Sequence, residues 1–304
     1  MKDKKVKPKA TAASRKSRVK KSAPPADHAP DPLLLLPGMI RAAKACGAIL
    51  RRYYEQLSKA NLEVSEKIGA GLVTNADIES ERACVAALRK IRPDFSFLTE
   101  EGTAARSVAR GRWIIDPLDG TTNFVHRFPM FCVSIAAEWD GEVIAGVIEH
   151  PILRETYVAS LGGGATVNGR KLEVSKTSKL ADSLLSTGFT YRKTELLQTE
   201  MVAFEELSSV ARAIRRPGSA ALDLAYTARG VFDGFWERRL SPWDVAAGLL
   251  LVREAGGTVT DFCGGDKVVE SPAILATNGK LHATLLAAVQ TPEEQLRAGR
   301  REMD

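Results

Sequence analysis

A chain of 304 residues, 44% of them hydrophobic, can bury a large core in one large domain or two closely joined ones, and its uninterrupted apolar runs are too short to span a bilayer. Leu33 to Leu36 is too short even for the core of a signal peptide, so the expected location is the cytoplasm with no membrane contact. The formal charge of +6 divides unevenly: residues 1–35 hold ten Lys/Arg against Asp3, Asp27 and Asp31, the remainder nets −1, and the basic character belongs to the N-terminal tail.

Residues 1–32 are rich in Lys, Ala, Ser and Pro and nearly free of large apolar side chains, so burial cannot offset their ordering entropy and a disordered basic tail is expected. Such an arm suits an acidic surface or nucleic acid, but it lacks interleaved aromatics and reads first as a solubilising tail. Residues 33–304 are the expected folded domain. From Pro37 the positions Met39, Ile40, Ala43, Cys46, Ile49, Leu50, Tyr53 and Leu57 recur mostly at three and four, the spacing of an amphipathic helix. Periodicity breaks over 63–76 around Gly69 and Gly71, and Asp77 opens a second helix with Ile78, Val85, Leu88 and Ile91 on one stripe. Phe95 to Leu98 predicts a short strand running to Glu100-Glu101, adjacent carboxylates suited to solvent or to a divalent cation.

Phe131 to Glu138 and Val143 to Ile148 are two strands joined by the hairpin signal Asp140-Gly141, and 155–160 and 166–174 continue the meander through Asn168-Gly169. Gly162-Gly163-Gly164 reads as a tight turn, since the Lys-Ser/Thr continuation of a phosphate loop is missing. Further strands are expected over 183–186, 231–237, 258–262 and 273–277, and helices over 194–213, after Gly218 and from Lys280. In Ser241-Pro242-Trp243-Asp244, Ser241 fits a helix N-cap and Pro242 the first helical position, which puts Asp244 in the first turn. Cys46, Cys84, Cys132 and Cys263 are scattered and form no Cys-x-x-Cys pair, and the four histidines show no ligand spacing, a pattern of reduced core thiols rather than of zinc or disulfides.

The densest chemistry lies between Trp113 and Phe124, in Trp-Ile-Ile-Asp-Pro-Leu-Asp-Gly-Thr-Thr-Asn-Phe. An apolar strand delivers Asp116 and Asp119 to a Pro/Gly-punctuated turn, where the two carboxylates can converge on a hard cation. Gly120, Thr121 and Thr122 add backbone N–H groups and hydroxyls suited to a phosphate. The same residues also suit a plain surface turn. An aspartyl-phosphate phosphatase would need a second Asp where Leu118 stands, and an EF-hand loop would need alternating acids and a closing Glu.

Taken in order, Glu100-Glu101, the Asp116 to Phe124 stretch, and Trp243 to Gly248 followed by Glu254 to Gly257 resemble the inositol monophosphatase family of magnesium-dependent, lithium-sensitive phosphatases, over residues 37–290. That resemblance implies an α/β (α+β) layered α-β-α-β-α sandwich, in a homodimer, with two to three Mg²⁺ per subunit. Glu100, Asp116 and the Leu118 carbonyl would hold one ion, Asp116, Asp119 and Asp244 a second, and a weaker third would sit near Glu100. Glu100 and Thr121 would orient and deprotonate the attacking water, with Asp77 hydrogen-bonded to the threonine, while the N–H groups of Gly120 and Thr121 take phosphate oxygens. Substrate contacts would come from Asp119, Gly120, Thr121, Gly218, Ser219, Ala220, Glu237 and Asp244.

Thr122-Asn123-Phe124 favours the inositol branch over relatives acting on adenosine bisphosphate or histidinol phosphate. Arg238-Arg239 departs from a stretch that usually includes Gly and is expected to add charge near the substrate pocket; Lys67 is the nearest counterpart of the family's flap lysine. The expected function is hydrolysis of inositol monophosphate to inositol and phosphate. The alternatives are the same chemistry on histidinol phosphate, fructose 1,6-bisphosphate or NADP, or a binding role toward RNA or the transcription machinery through the basic tail.

Overall fold

Asp31 and Pro32 start the first helix: the Asp31 carboxylate accepts the Leu33 N–H at 2.9 Å, and Pro32 fills the first position, where no N–H is needed. This computed structural model describes residues 28–56, 62–67, 71–102, 109–189, 195–271, 273–291 and 294. Most of the expected tail, residues 1–27, therefore lies outside the described residues. Helix α1 (Pro32–Gln56) begins ahead of Pro37, the residue expected to open it, because Asp31-Pro32 is the stronger start signal; Pro37 forgoes only the bond to the Leu33 carbonyl. One 18-residue window of α1 reaches a mean hydropathy of 1.6, apolar and long enough by composition to cross a membrane. Its apolar stripe, Met39, Ala43, Cys46 and Leu50, is buried in the protein, as in a core helix.

Strands β1 (Val64–Lys67) and β2 (Gly71–Thr74) pair antiparallel in a stretch that showed only broken periodicity in the sequence. Helix α2 (Asn75–Ile91) follows at once. A large sheet is built from β3 (Ser96–Thr99), β4 (Gly111–Asp119), β5 (Cys132–Trp139), β6 (Glu142–His150), β7 (Glu155–Ser160), β8 (Gly164–Val167) and β9 (Arg170–Lys171), laid side by side in chain order, with the one-turn helix α3 (Thr121–Val125) after β4. The β3–β4 pair is parallel and the remaining pairs are antiparallel. Asp140-Gly141 and Asn168-Gly169 both turn with positive φ, the signature of their tight hairpins.

A second sheet has the order β11-β10-β12-β14-β13, from β10 (Leu184–Thr187), β11 (Ala213–Arg215), β12 (Gly234–Arg238), β13 (Thr258–Thr260) and β14 (Ala273–Thr277). Helix α4 (Glu195–Val210) stops short of the expected 213, because Ala213 to Arg215 pairs parallel with β10 and sheet pairing overrides local propensity. Helices α5 (Ala220–Ala228), α6 (Pro242–Glu254) and α7 (His282–Val289) complete the described α-helices, and a single 3-10 turn spans Leu180–Asp182.

Strand alternation sorts these elements into layers. Trp113 and Ile115 of β4 join α1 and α2 in one core, while Ile114 between them joins α5 and α6 in another. Phe235 and Ile274 face that middle core from the second sheet, and Trp236 and Leu275 turn to a third core with Leu207 of α4 and Leu285 of α7. The result is helix pair, sheet, helix pair, sheet, helix pair: the expected α-β-α-β-α sandwich. Small residues bring α6 close to both neighbours. Ala247 lies over Gly146 of β6, and Gly248 faces Leu224 of α5.

Candidate active site

Strand β4 runs through both acids instead of stopping before a turn. Asp116 pairs with Ser134 and Asp119 with Cys132, so one extra residue is accommodated in a bulge that re-aims the strand end. Pro117 and Leu118 occupy it; the Pro117 carbonyl accepts the Ser80 hydroxyl of α2 at 3.0 Å, and the Asp116 carboxylate accepts the Leu118 N–H at 2.9 Å. Gly120 then takes φ 90°, and a Cβ there would meet the Met130 carbonyl oxygen at 2.8 Å, so both conformation and space require glycine.

Four further segments converge on this strand end. The Thr74 N–H and hydroxyl donate to Asp77 Oδ2 at 2.7 and 2.6 Å, and the Thr121 hydroxyl lies 3.3 Å from Asp77 Oδ1 and 3.1 Å from the Leu118 carbonyl. Asp77 is fully buried. The loop carrying Glu100 is held by Glu81, which accepts the Thr99 hydroxyl at 3.1 Å and the Glu101 N–H at 2.8 Å. The Ser134 hydroxyl reaches the Trp243 carbonyl at 3.2 Å, tying the start of α6 to the strand beside Asp116. On the far side, Asp119 Oδ2 accepts the Ser219 hydroxyl at 2.7 Å and the Ala221 N–H at 2.8 Å, so α5 begins on this carboxylate.

The four acids are close enough to govern one another's charge. Burial, then Glu100, Asp119 and Asp244, hold the Asp116 carboxyl well above the usual carboxylate range. Asp244 is raised to about 8, by burial first and then by Asp119. Asp119 is raised to about 6 by burial, against the lowering effect of its bonds from Ser219 and Ala221. Carboxylates that are shielded from water and repel one another favour either protonation or a divalent cation, and an all-oxygen donor set is the one that suits Mg²⁺. Among the described residues no three Asp, Glu, His or Cys side chains stand together as a group that could hold a metal ion, and Asp119 and Asp244 each keep one oxygen on backbone N–H groups. The donor set therefore fits the ion in chemistry and charge.

Glu237, at the end of β12, is the acid on the other side of Asp244. Burial, then the charges of Asp244 and Asp119, raise its carboxyl well above the usual range. Asn123 links this end to the central motif, donating to the carbonyls of Met130 at 2.7 Å, Pro217 at 2.8 Å and Gly218 at 3.2 Å. Gly218 and Ser219 thus sit beside the central motif, Ser219 directly on Asp119, with Ala220 next in the chain. Arg238 does not add charge to the pocket as expected: its guanidinium turns to Glu294, the Val289 carbonyl and the Phe262 ring, a partly buried ion pair that satisfies it. Lys67 ends β1, and its side chain lies outside the described residues.

Sequence reasoning missed Ser80, Glu81 and Ser134, the residues that position the others. Glu81 had a signal: four residues after Asp77 on one helix, it faces the same way. A layered sandwich whose acids gather beside a helix start, with backbone amides at hand, defines a protein of the phosphatase class. Residues 34–294 match the inositol monophosphatase family. The chain is 43% identical to an inositol-1-monophosphatase of Mesorhizobium japonicum, over 85% of this chain and 97% of that protein, and 43% identical to a Nus factor SuhB of Pseudomonas aeruginosa, over 83% and 94%. Among solved structures, the extragenic suppressor protein suhB of Bartonella henselae superposes with a TM-score of 0.80 at 41% identity, over 85% of this chain and 99% of that one. This chain belongs to the inositol monophosphatase family.

Proposed function

We propose that the chain is a Mg²⁺-dependent phosphomonoesterase that hydrolyses inositol monophosphate by direct attack of water. The observation that carries this reading is the convergence of Glu100, Asp116, Asp119 and Asp244 beside the Thr121–Asp77 hydrogen bond. Glu100, Asp116, Asp119, Asp244 and the Leu118 carbonyl would hold two to three ions, which supply Lewis acidity toward the phosphate and make water a better nucleophile at neutral pH.

The Thr121 hydroxyl, held between Asp77 and the Leu118 carbonyl, orients the attacking water, and Glu100 accepts its proton. The Gly120 and Thr121 amides take phosphate oxygens as charge spreads over them. Gly218, Ser219 and Ala220 flank the ester, and Glu237 accepts hydrogen bonds from polyol hydroxyls. By resemblance, which covers residues 37–290, the protein is a homodimer inhibited by lithium, and its composition puts its action in the cytoplasm.

Phosphate release from inositol 1-phosphate, histidinol phosphate, fructose 1,6-bisphosphate and NADP, with Mg²⁺ and with EDTA, tests this. Preference for the inositol ester supports the proposal; preference for another ester keeps the chemistry and moves the substrate; the absence of Mg²⁺-dependent release overturns it. A second reading rests on relatives named Nus factor and on the basic tail: a binding role toward RNA or the transcription machinery. Deleting residues 1–32 should abolish salt-sensitive RNA binding and spare phosphatase activity. If the full-length protein binds no RNA, this reading fails.

A further inference from the structure

Glu237 owes its position to a neighbour without a side chain. Strands β10 and β12 run parallel with Thr187 beside Trp236, so the next residues, Gly188 and Glu237, lie side by side where the strands leave the sheet. The Thr187 hydroxyl donates to the Trp236 carbonyl at 2.8 Å and fixes this register. Instead of projecting clear of its neighbour, the Glu237 carboxylate lies over Gly188: a Cβ at 188 would fall 2.1 Å from its Cδ and Oε1 and 2.2 Å from Oε2. Backbone conformation does not demand this glycine, since its φ is outside the left-handed region. Space does. The atoms in conflict are the far end of one flexible side chain, so a methyl there displaces the carboxylate and leaves the strand in place.

The surroundings leave the displaced carboxylate little room. Asp223 of α5 is 1% exposed, its Oδ1 has no hydrogen-bond partner among the described residues, and Glu237 is the foremost charge acting on it. A carboxylate pushed off Gly188 has Asp223 on one side and Asp244 and Asp119 on the side of the acid cluster disfavouring its charge, while Arg216 acts the other way.

We propose that Gly188 is a specificity-determining positioning residue: by having no side chain it seats the Glu237 carboxylate at the polyol end of the cleft, and so selects esters of polyhydroxylated alcohols over esters without hydroxyls. This rests on the reading of Glu237 as the acceptor of substrate hydroxyls. It concerns preference among esters and leaves the chemistry at phosphorus to other residues.

The test is Gly188→Ala, Glu237→Ala and the double variant, each assayed with inositol 1-phosphate and with phenyl phosphate, whose alcohol carries no further hydroxyl. The ratio of kcat/KM for the inositol ester to that for phenyl phosphate should fall about tenfold in Gly188→Ala, mostly through KM, as expected when one charge-assisted hydrogen bond is lost. Glu237→Ala should lower the ratio at least as far, and adding Gly188→Ala to it should change nothing more. A purely structural role for Gly188 would lower both esters together and leave the ratio intact, which overturns the proposal. An unchanged ratio in Gly188→Ala with a lowered one in Glu237→Ala sinks the role of Gly188 alone; an unchanged ratio in Glu237→Ala sinks the reading beneath it as well. Should Gly188→Ala not fold, recovery of folding in the double variant supports the conflict with Glu237, and failure of both refutes it.

Discussion

Helices α2 and α6 open with the same local chemistry: an aspartate in the first turn accepts the backbone N–H of its cap residue, Asp77 from Thr74 at 2.7 Å and Asp244 from Ser241 at 2.6 Å. Their surroundings differ. Asp77 is fully buried, and the described donors it accepts from are those of Thr74 and Thr121, its second oxygen taking the Thr121 hydroxyl. Asp244 is half-buried, and burial first, then the charges of Asp119 and Glu100, raise its carboxyl to about 8. One sequence device therefore yields a positioning residue in the first case and a candidate cation ligand in the second. The distinction comes from what the fold packs against each helix start.

The largest expected effect comes from Asp244→Asn. The amide oxygen still accepts the Ser241 N–H, so the helix keeps its cap while the cluster loses a charge; turnover with Mg²⁺ should fall by about 1000-fold or more with no loss of thermal stability. Activity within tenfold of the parent would remove Asp244 from the cation site and erase the contrast. Asp77→Ala should behave differently, costing about 1–2 kcal/mol in a urea titration through the lost cap and about ten- to a hundredfold in kcat through the released Thr121. A change in only one of these two measurements would show that the box at α2 serves stability or catalysis, not both.

His150 supplies a control for burial without function. It is fully buried at the end of β6, and burial lowers its pKa from 6.5 to about 4. The unfolded chain takes up a proton at this histidine as pH falls below 6.5, whereas the folded chain resists until about 4. Stability is therefore complete above pH 6.5 and declines by up to about 3 kcal/mol between there and pH 4. In His150→Leu the urea midpoint should lose that part of its acid dependence, and an unaltered pH profile would refute the assignment. The smallest effect is expected just ahead of α6, where Arg239 holds φ 59° at a stretch that usually includes Gly in the family it resembles. Arg239→Gly should raise stability by about 0.5–1 kcal/mol, read as a higher melting temperature. A lower one would mean that the arginine makes contacts worth more than its strain.

The sequence made legible whatever depends on neighbours along the chain. The strand into Asp116, the hairpins at Asp140-Gly141 and Asn168-Gly169, and the cap at Ser241-Pro242 all stand where their residues place them. Motifs far apart in sequence were joined only through resemblance, and the structure brings Asp77, Glu100, Asp116, Asp119 and Asp244 together. What escaped was set by tertiary partners. Strand β11 exists because β10 offers it an edge, and Arg238 turns from the cleft because Glu294, far along the chain, offers it a better partner. Glu81 looked like one more charged residue on an amphipathic helix until the fold set the Glu100 loop on top of it.

Strand β4 has one more consequence. Its successive side chains belong to different cores, Trp113 and Ile115 to one and Ile114 to the next, and the same strand carries Asp116 and Asp119. Neither core can open by itself without dragging this strand, so partial unfolding has no route that frees the acids while leaving most of the molecule intact. In a hydrogen-exchange experiment the amides of Ile114 and Ile115 should be among the slowest in the chain, exchanging only when the whole sandwich comes apart.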